Sequence, residues 1–276
     1  MSQALRTKEN VAFAPGQVLR VYGMRRSGNH ALINWIMRNA PNGHGVFLND
    51  CRPKTDPVVS CSGVSVFEDG VDVDMQVGRQ QKLQRAGALP FTVVSYEDRV
   101  PPTAPKPLYA APETLIIIYR SFLHWTASLL RKVQGNEGYG PLDRNRIMGR
   151  ALGTYSEMLT RVQEDDVVPL CYDDWTADAH YREEALSRLK LPGRDLSLGT
   201  VQRYGGGSSF QDATAASDLT TDKRSAQMAD DHEYQMLLWT AARDEGFMTK
   251  LTKVFPADAN RLDTLRSTAS AQVVLP

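Results

Sequence analysis

The stretch that most constrains this chain runs from Val21 to Ile36, with the sequence VYGMRRSGNHALINWI. Its succession of β-formers, glycines and apolar helix formers predicts a strand end, a tight turn and then a helix. Such a corner directs backbone N–H groups and the positive end of a helix dipole towards one point. We therefore expect an anion to bind at this turn.

The two glycines of the turn, Gly23 and Gly28, have the G-x4-G spacing of a phosphate-binding P-loop. Asn29 and His30 occupy the positions where a nucleotide triphosphatase carries lysine and a serine or threonine. Those two residues normally reach the β- and γ-phosphates and hold magnesium. The turn is thus predicted to bind a phosphate but to suit ATP with Mg²⁺ poorly.

The rest of the chain alternates strands with helices, which is typical of an α/β fold with a parallel sheet. We predict one domain over residues 1–276, with three layers and a central, mostly parallel sheet of the P-loop NTPase type. Residues 46–90 are interpreted as a variable insertion of short helix or hairpin pieces, and residues 200–276 as a glycine-rich loop followed by helices. The predicted strands are 17–22, 91–96, 114–119 and 167–172. The predicted helices are 29–38, 123–133, 143–163 and 182–189, and a last helix or pair of helices is predicted over 233–254.

Composition excludes several classes of function. The chain has 32 basic and 32 acidic residues, so binding to nucleic acid through overall charge is not expected. Its three cysteines are too few and odd in number for a disulfide framework, which favours a reduced cytoplasmic setting over a Cys51–Cys61 bridge. No signal peptide, membrane-spanning run or metal-ligand pattern is predicted.

A second group of polar residues follows the most apolar predicted strand. Arg120 ends that strand, and Ser128 lies about two helical turns further on. An arginine can fork onto a phosphate and a helix hydroxyl can reach the same group. Because ligands of such sheets bind at the carboxyl ends of the strands, Arg26, Glu97 and Arg120 are predicted to surround one crevice.

With both segments considered together, the chain resembles the sulfotransferases that use 3′-phosphoadenosine 5′-phosphosulfate (PAPS). That family has a K/R-S-G-T-T segment for the 5′ end of the donor and an R-x7-S segment for its 3′-phosphate. Here the first reads Arg26-Ser-Gly-Asn-His30 and the second runs from Arg120 to Ser128. Two further segments are similar to the family's Y-E-D-L strand end and to its C-terminal glycine-rich loop, namely 170–175 and 203–209. The family's usual Thr-Thr is replaced by Asn29-His30.

The resemblance implies how each segment acts. It assigns Arg26 and the backbone of Gly28, Asn29 and His30 to the leaving phosphate, where charge builds up. It implies a base just after the preceding strand, for which Glu97 is preferred, with Asp98 and His30 as alternatives. The donor-binding residues implied are Arg25 (interpreted as a solvated neighbour rather than a second ligand), Arg26, Ser27, Gly28, Asn29, His30, Arg120, Ser128, Arg203, Tyr204, Gly205 and Gly206.

PAPS is expected as the donor, without a metal, because the donor has no β- and γ-phosphates for a metal to bridge. The acceptor is expected to be a small molecule or a carbohydrate. Two alternatives stay open: a P-loop nucleotide or small-molecule kinase, and a non-catalytic relative that only binds a nucleotide.

Overall fold

The computed structural model describes residues 13–73, 75–200 and 223–269. Over these residues the chain is an α/β fold in which helices flank a seven-stranded, mostly parallel sheet. The predicted three-layer fold class is therefore confirmed. The strands are β1 (Gln17–Gly23), β2 (Gly45–Asn49), β3 (Gly63–Glu68), β4 (Val71–Asp72), β5 (Phe91–Glu97), β6 (Glu113–Tyr119) and β7 (Val168–Cys171).

The helices pack on both faces of this sheet. A 3₁₀ turn covers Pro41–Gly43. The α-helices are α1 (Asn29–Arg38), α2 (Pro57–Ser60), α3 (Arg79–Arg85), α4 (Phe122–Gln134), α5 (Pro141–Arg161), α6 (Tyr172–Ala177), α7 (Ala179–Arg188), α8 (Arg224–Gln227), α9 (His232–Ala241), α10 (Glu245–Val254) and α11 (Pro256–Ala269).

The strand order is β4-β3-β2-β5-β1-β6-β7. Strands β2, β5, β1, β6 and β7 are parallel, whereas β3 and β4 extend the sheet in antiparallel fashion. The chain moves from β1 to one side of the sheet, returns through β5, and crosses to the other side at β6. The carboxyl ends of β5, β1 and β6 therefore enclose a topological switch point, where ligands of such sheets bind.

Alternate side chains of the central strands supply two hydrophobic layers. Leu115 and Ile117 of β6 belong to the layer that packs under α4, α5, α9, α10 and α11. Ile116 and Ile118 belong to the layer that packs under α1, α6 and α7. Because both faces of β6 are covered, its sequence is a continuous apolar run rather than an alternating one.

Most predicted elements lie within a few residues of observed ones, and one region differs. Residues 46–90 do form short helices and an antiparallel pair, but β2 is an integral parallel strand next to β5, so this segment builds part of the central sheet. Of the single helix or pair of helices predicted over 233–254, the structure has the pair, α9 and α10, since Asp244 caps a new helix by accepting from the Phe247 N–H. The predicted strand end at Tyr172 is already the first residue of α6.

Among the helices of the described ranges, none is both long enough and apolar enough to cross a membrane.

Candidate functional site

The loop between β1 and α1 is shaped by Gly28. Its φ of 91° lies in the left-handed region, and a Cβ there would sit 2.0 Å from the Tyr172 ring. Gly28 is also the N-cap of α1, so no side chain caps this helix, and its first turn has no acidic residue. The positive end of the α1 dipole is thus left to interact with a group from outside the helix.

Asn29, in the position of a P-loop lysine, holds the loop together. It is buried, and its Nδ2 donates to the Met24 carbonyl at 3.1 Å. Its side chain also hydrogen-bonds Glu97. A Cβ on Gly23 would meet Asn29 Oδ1 at 2.1 Å, so this close approach requires glycine. The adjacent Ser27 hydroxyl is fully buried and makes no hydrogen bond with the described residues.

Arg26 extends from this loop towards α4. Its backbone has a φ of 72°, and its Nε donates to Ser128 Oγ at 3.4 Å. Ser128 is fully buried on α4, one of whose neighbours is α8. The structure thus brings together the first residue of the first motif and the last residue of the second, which are 102 residues apart in the sequence.

Arg120 lies at the carboxyl end of β6 and is fully buried. Its guanidinium carbon is 4.9 Å from the centre of the Tyr172 ring, and its Nε lies 3.4 Å from the Asp173 carboxylate. The Tyr172 ring therefore lies close to both Gly28 and Arg120. The 170–175 segment contributes through this ring and through Asp173, which also accepts from the Ser121 N–H at 2.6 Å.

A third arginine, Arg224, joins the group and was not predicted from the sequence. It begins α8, is only 6% exposed, and its Nη1 donates to Ser128 Oγ at 3.1 Å. The available signal was weak: a Lys-Arg pair shortly after a glycine-rich stretch. Such pairs are usually solvated, and only the contact with Ser128 distinguishes this one.

The three guanidinium groups affect one another. Burial lowers the pKa of Arg26, and the charge of Arg120 lowers it further. Burial also lowers the pKa of Arg224, and the charges of Arg120 and Arg26 add to the effect. Positive charge is therefore concentrated in a region of low dielectric, an arrangement that favours a multiply charged anion.

A stacked aromatic pair supports the backbones that carry Arg26 and Arg120. Trp125 Nε1 donates to the Arg25 carbonyl at 3.0 Å, and the Tyr155 hydroxyl donates to the Arg120 carbonyl at 2.6 Å. The two rings stack with their centroids 4.4 Å apart. Both are fully or almost fully buried. The loop after β1 and the loop after β6 are thus tied to one rigid unit of the core.

Glu97 and His30 form a second group at the same edge of the sheet. The Glu97 Oε1 atom lies 3.7 Å from His30 Nε2. Burial, with Asp50 and Asp98 nearby, raises the pKa of Glu97, while burial and the charge of Arg26 lower the pKa of His30. Both shifts favour the neutral forms. Glu97 can therefore exchange a proton nearer to neutral pH than an exposed glutamate would, whereas His30 is held as the neutral imidazole.

Asp98 and Arg25 pair with each other. Asp98 Oδ1 accepts from the Arg25 backbone N–H at 2.8 Å, and its other oxygen pairs with the Arg25 guanidinium. The Asp98 N–H in turn donates to the Gly23 carbonyl at 3.0 Å. Asp98 therefore ties the end of β5 to the loop, and Arg25 is exposed beside it, as a solvated neighbour would be.

The remaining predicted ligands, Arg203, Tyr204, Gly205 and Gly206, lie outside the described residues. No family model matches the chain, and no curated protein matches its sequence. The functional interpretation therefore depends on the fold and on the geometry of these side chains.

Proposed function

We propose that this chain is a sulfotransferase that moves a sulfuryl group from PAPS to a hydroxyl or amine acceptor. The observation that carries the proposal is the convergence of Arg26 and Arg224 on the buried Ser128 hydroxyl, with Arg120 close to both. A donor with phosphate at both its 3′ and 5′ positions needs such a concentration of cations. It needs no lysine and hydroxyl for a magnesium triphosphate.

The residues present fit the two ends of this donor. Gly28 lets the loop turn tightly against the Tyr172 ring, and the N-terminus of α1 presents backbone N–H groups without a competing side-chain cap. We assign the 5′ end of the donor to this loop. We assign the 3′-phosphate to Arg120, Ser128 and Arg224, since guanidinium groups bind phosphate in a bidentate manner.

The proposed transfer uses Arg26 and Glu97. The acceptor oxygen forms a bond to sulfur while the bond from sulfur to the bridging oxygen breaks, and its electron pair stays on the departing adenosine 3′,5′-bisphosphate. Arg26 stabilises the charge that builds up on the bridging oxygen. Glu97 takes the proton of the acceptor, and His30, at 3.7 Å, orients the carboxylate.

Ligand-dependent thermal stability tests the donor site. At a hundred times its Kd, adenosine 3′,5′-bisphosphate should raise the free energy of unfolding by about 3 kcal/mol relative to the free protein. ATP with Mg²⁺ should stabilise the protein less. Stabilisation by ATP with Mg²⁺ alone would reject the proposal in favour of a kinase.

Transfer of ³⁵S from labelled PAPS to a panel of acceptors tests the chemistry. Arg26→Ala should abolish transfer without unfolding the protein. The exposed neighbour Arg25 provides the matched control, because Arg25→Ala removes a guanidinium that faces Asp98 and should leave transfer largely intact. Donor binding without transfer to any acceptor, together with no effect of Glu97→Gln on any activity, would favour a non-catalytic nucleotide-binding protein.

A further inference from the structure

A cavity of about 270 Å³ opens next to His30, between α1 and the β2–β3 pair. His30, Ile33 and Asn34 line it from α1, and the His30 ring lies edge-on to Phe47 with the ring centres 6.4 Å apart. His30 is also the residue whose Nε2 lies 3.7 Å from Glu97. The cavity therefore adjoins the group to which we assign the proton transfer.

The cavity exists because small residues of β3 lie opposite larger residues of β2. Phe47 pairs with Ser65, and Asn49 pairs with Gly63, so these four positions share the face of the sheet that α1 covers. A Cβ built on Gly63 would have no atom within 4 Å. The small side chains thus leave space that a leucine or phenylalanine at Ser65 would fill.

The walls of this space combine apolar and polar groups. Ile33, Phe47 and Phe67 provide apolar surface. The polar groups belong to His30, Asn34, Asn49, Ser62, Ser65, Asp72 and Lys82. Ser95 Oγ donates to Asn49 Oδ1 at 3.3 Å and so orients that amide. Lys82 Nζ donates to the Val64 carbonyl at 3.1 Å, which holds the ammonium group at the cavity.

We propose that this cavity is the acceptor pocket and that it takes one hydroxyl-rich ring, such as a single sugar residue. The inference rests on the proposed sulfotransferase function. The apolar surface suits the C–H face of a sugar ring, and the surrounding amide, hydroxyl and ammonium groups suit its hydroxyls. The volume of about 270 Å³ lies just below that of pockets that bind drug-sized molecules, about 300–1,000 Å³, which fits a single ring. A hydroxyl placed beside His30 lies next to the residue whose Nε2 is 3.7 Å from Glu97 Oε1.

Two substitutions of Ser65 test the pocket. Ser65→Leu should fill it and lower kcat/KM for a methyl glycoside at least roughly tenfold, since one misfitting methylene in a pocket costs about 10–200-fold. Ser65→Ala keeps the space but removes the hydroxyl, and should cost roughly 2–10-fold. Ser187→Leu, which adds the same side chain at an exposed position of α7, is the matched control and should change nothing.

Binding is measured separately from transfer. Saturation-transfer-difference NMR with methyl glucoside and methyl N-acetylglucosaminide should show contact with the wild-type protein and with Ser187→Leu, but not with Ser65→Leu. Adenosine 3′,5′-bisphosphate should stabilise all of these proteins equally, which shows that each is folded. Equal binding of the glycosides to Ser65→Leu, or transfer to 2-naphthol that exceeds transfer to every glycoside, would overturn the inference.

The two proposals fail in different ways. If the nucleotide binds but the glycosides do not, the donor site stands and the acceptor pocket is refuted. If the glycosides bind in a manner that depends on Ser65 and adenosine 3′,5′-bisphosphate does not bind, the cavity is a sugar site and the sulfotransferase proposal is refuted.

Discussion

Replacing Arg224 by glutamine should have opposite effects on the free protein and on its complex with nucleotide. Arg26 Nε and Arg224 Nη1 donate to the same oxygen, at 3.4 and 3.1 Å, so these nitrogens are at most about 6.5 Å apart. Two unit charges at that distance repel by roughly 2–3 kcal/mol at an effective dielectric constant of about 20. Arg224→Gln removes this repulsion and the cost of burying the charge.

The same substitution removes a cation from the proposed 3′-phosphate site. A hydrogen bond to a charged group contributes about 1.5–3 kcal/mol, so the affinity for adenosine 3′,5′-bisphosphate should fall roughly 10–150-fold. The free energy of unfolding of the free protein should stay the same or rise. Urea denaturation measures the free energy of unfolding, and isothermal titration calorimetry measures the affinity for adenosine 3′,5′-bisphosphate.

Arg161→Gln is the matched control for this experiment. Arg161 is also a buried arginine, 5% exposed, but it pairs with Asp166 through two nitrogens at 2.9 Å and donates to the Pro101 carbonyl. Its removal should lower the free energy of unfolding by about 1–3 kcal/mol and leave nucleotide affinity unchanged. If Arg224→Gln instead behaves like Arg161→Gln in both measurements, the Arg224 guanidinium is structural and the reasoning is refuted.

Three further substitutions test the rest of the site. Glu97→Gln should lower transfer by about 10²–10⁴-fold with nucleotide affinity unchanged. The same substitution should raise the free energy of unfolding at neutral pH. Because burial raises the pKa of Glu97, its ionised form lowers the free energy of unfolding at pH values above that raised pKa. This cost disappears at pH values below the ordinary pKa of 4.5. Gly28→Ala should abolish nucleotide binding, because alanine is strained at a φ of 91° and its Cβ would clash with the Tyr172 ring. Gly149→Ala on α5 is the control: its Cβ would meet open space, so it should stabilise the protein by about 0.5–1 kcal/mol. Ser128→Ala should reduce the preference for adenosine 3′,5′-bisphosphate over adenosine 5′-monophosphate several-fold.

Each of these has a contrary result. Thermal denaturation at a series of pH values would count against the role of Glu97 if the glutamine variant were less stable than wild type at pH 7. Calorimetry that found normal nucleotide affinity in Gly28→Ala would place the anion elsewhere. An unchanged preference between the two nucleotides in Ser128→Ala would remove Ser128 from the 3′-phosphate site.

The central layers were predictable because their signals are local. The apolar run of β6 is long enough to indicate a strand that is covered on both faces, and the glycine turn before α1 has a recognisable spacing. Residues 46–90 were not assigned to the sheet, since β2 has only five residues and its partner β5 follows much later in the chain. Pairing between distant segments leaves no periodicity in the sequence.

The candidate site was predictable to the extent that strand ends determine it. Glu97 ends a parallel strand, and Arg26 and Arg120 follow two others, so the fold class alone brings the three to one edge. Arg224 could not be found in this way, because it reaches Ser128 from a short helix beyond the sheet. The pairing of Asp98 with Arg25 was equally hidden, since Asp98 and Glu97 are adjacent acidic residues whose surroundings differ only in three dimensions.

The stacked rings of Trp125 and Tyr155 have a consequence for how the site responds to change. A ring stack cannot be compressed, and each ring holds one carbonyl from a different loop, so the spacing between those loops is a property of the core. The protein without ligand therefore already holds the loop of Arg26 and the loop of Arg120 at a fixed spacing. The spacing of the candidate site's two loops is accordingly set by two buried aromatic residues of the core.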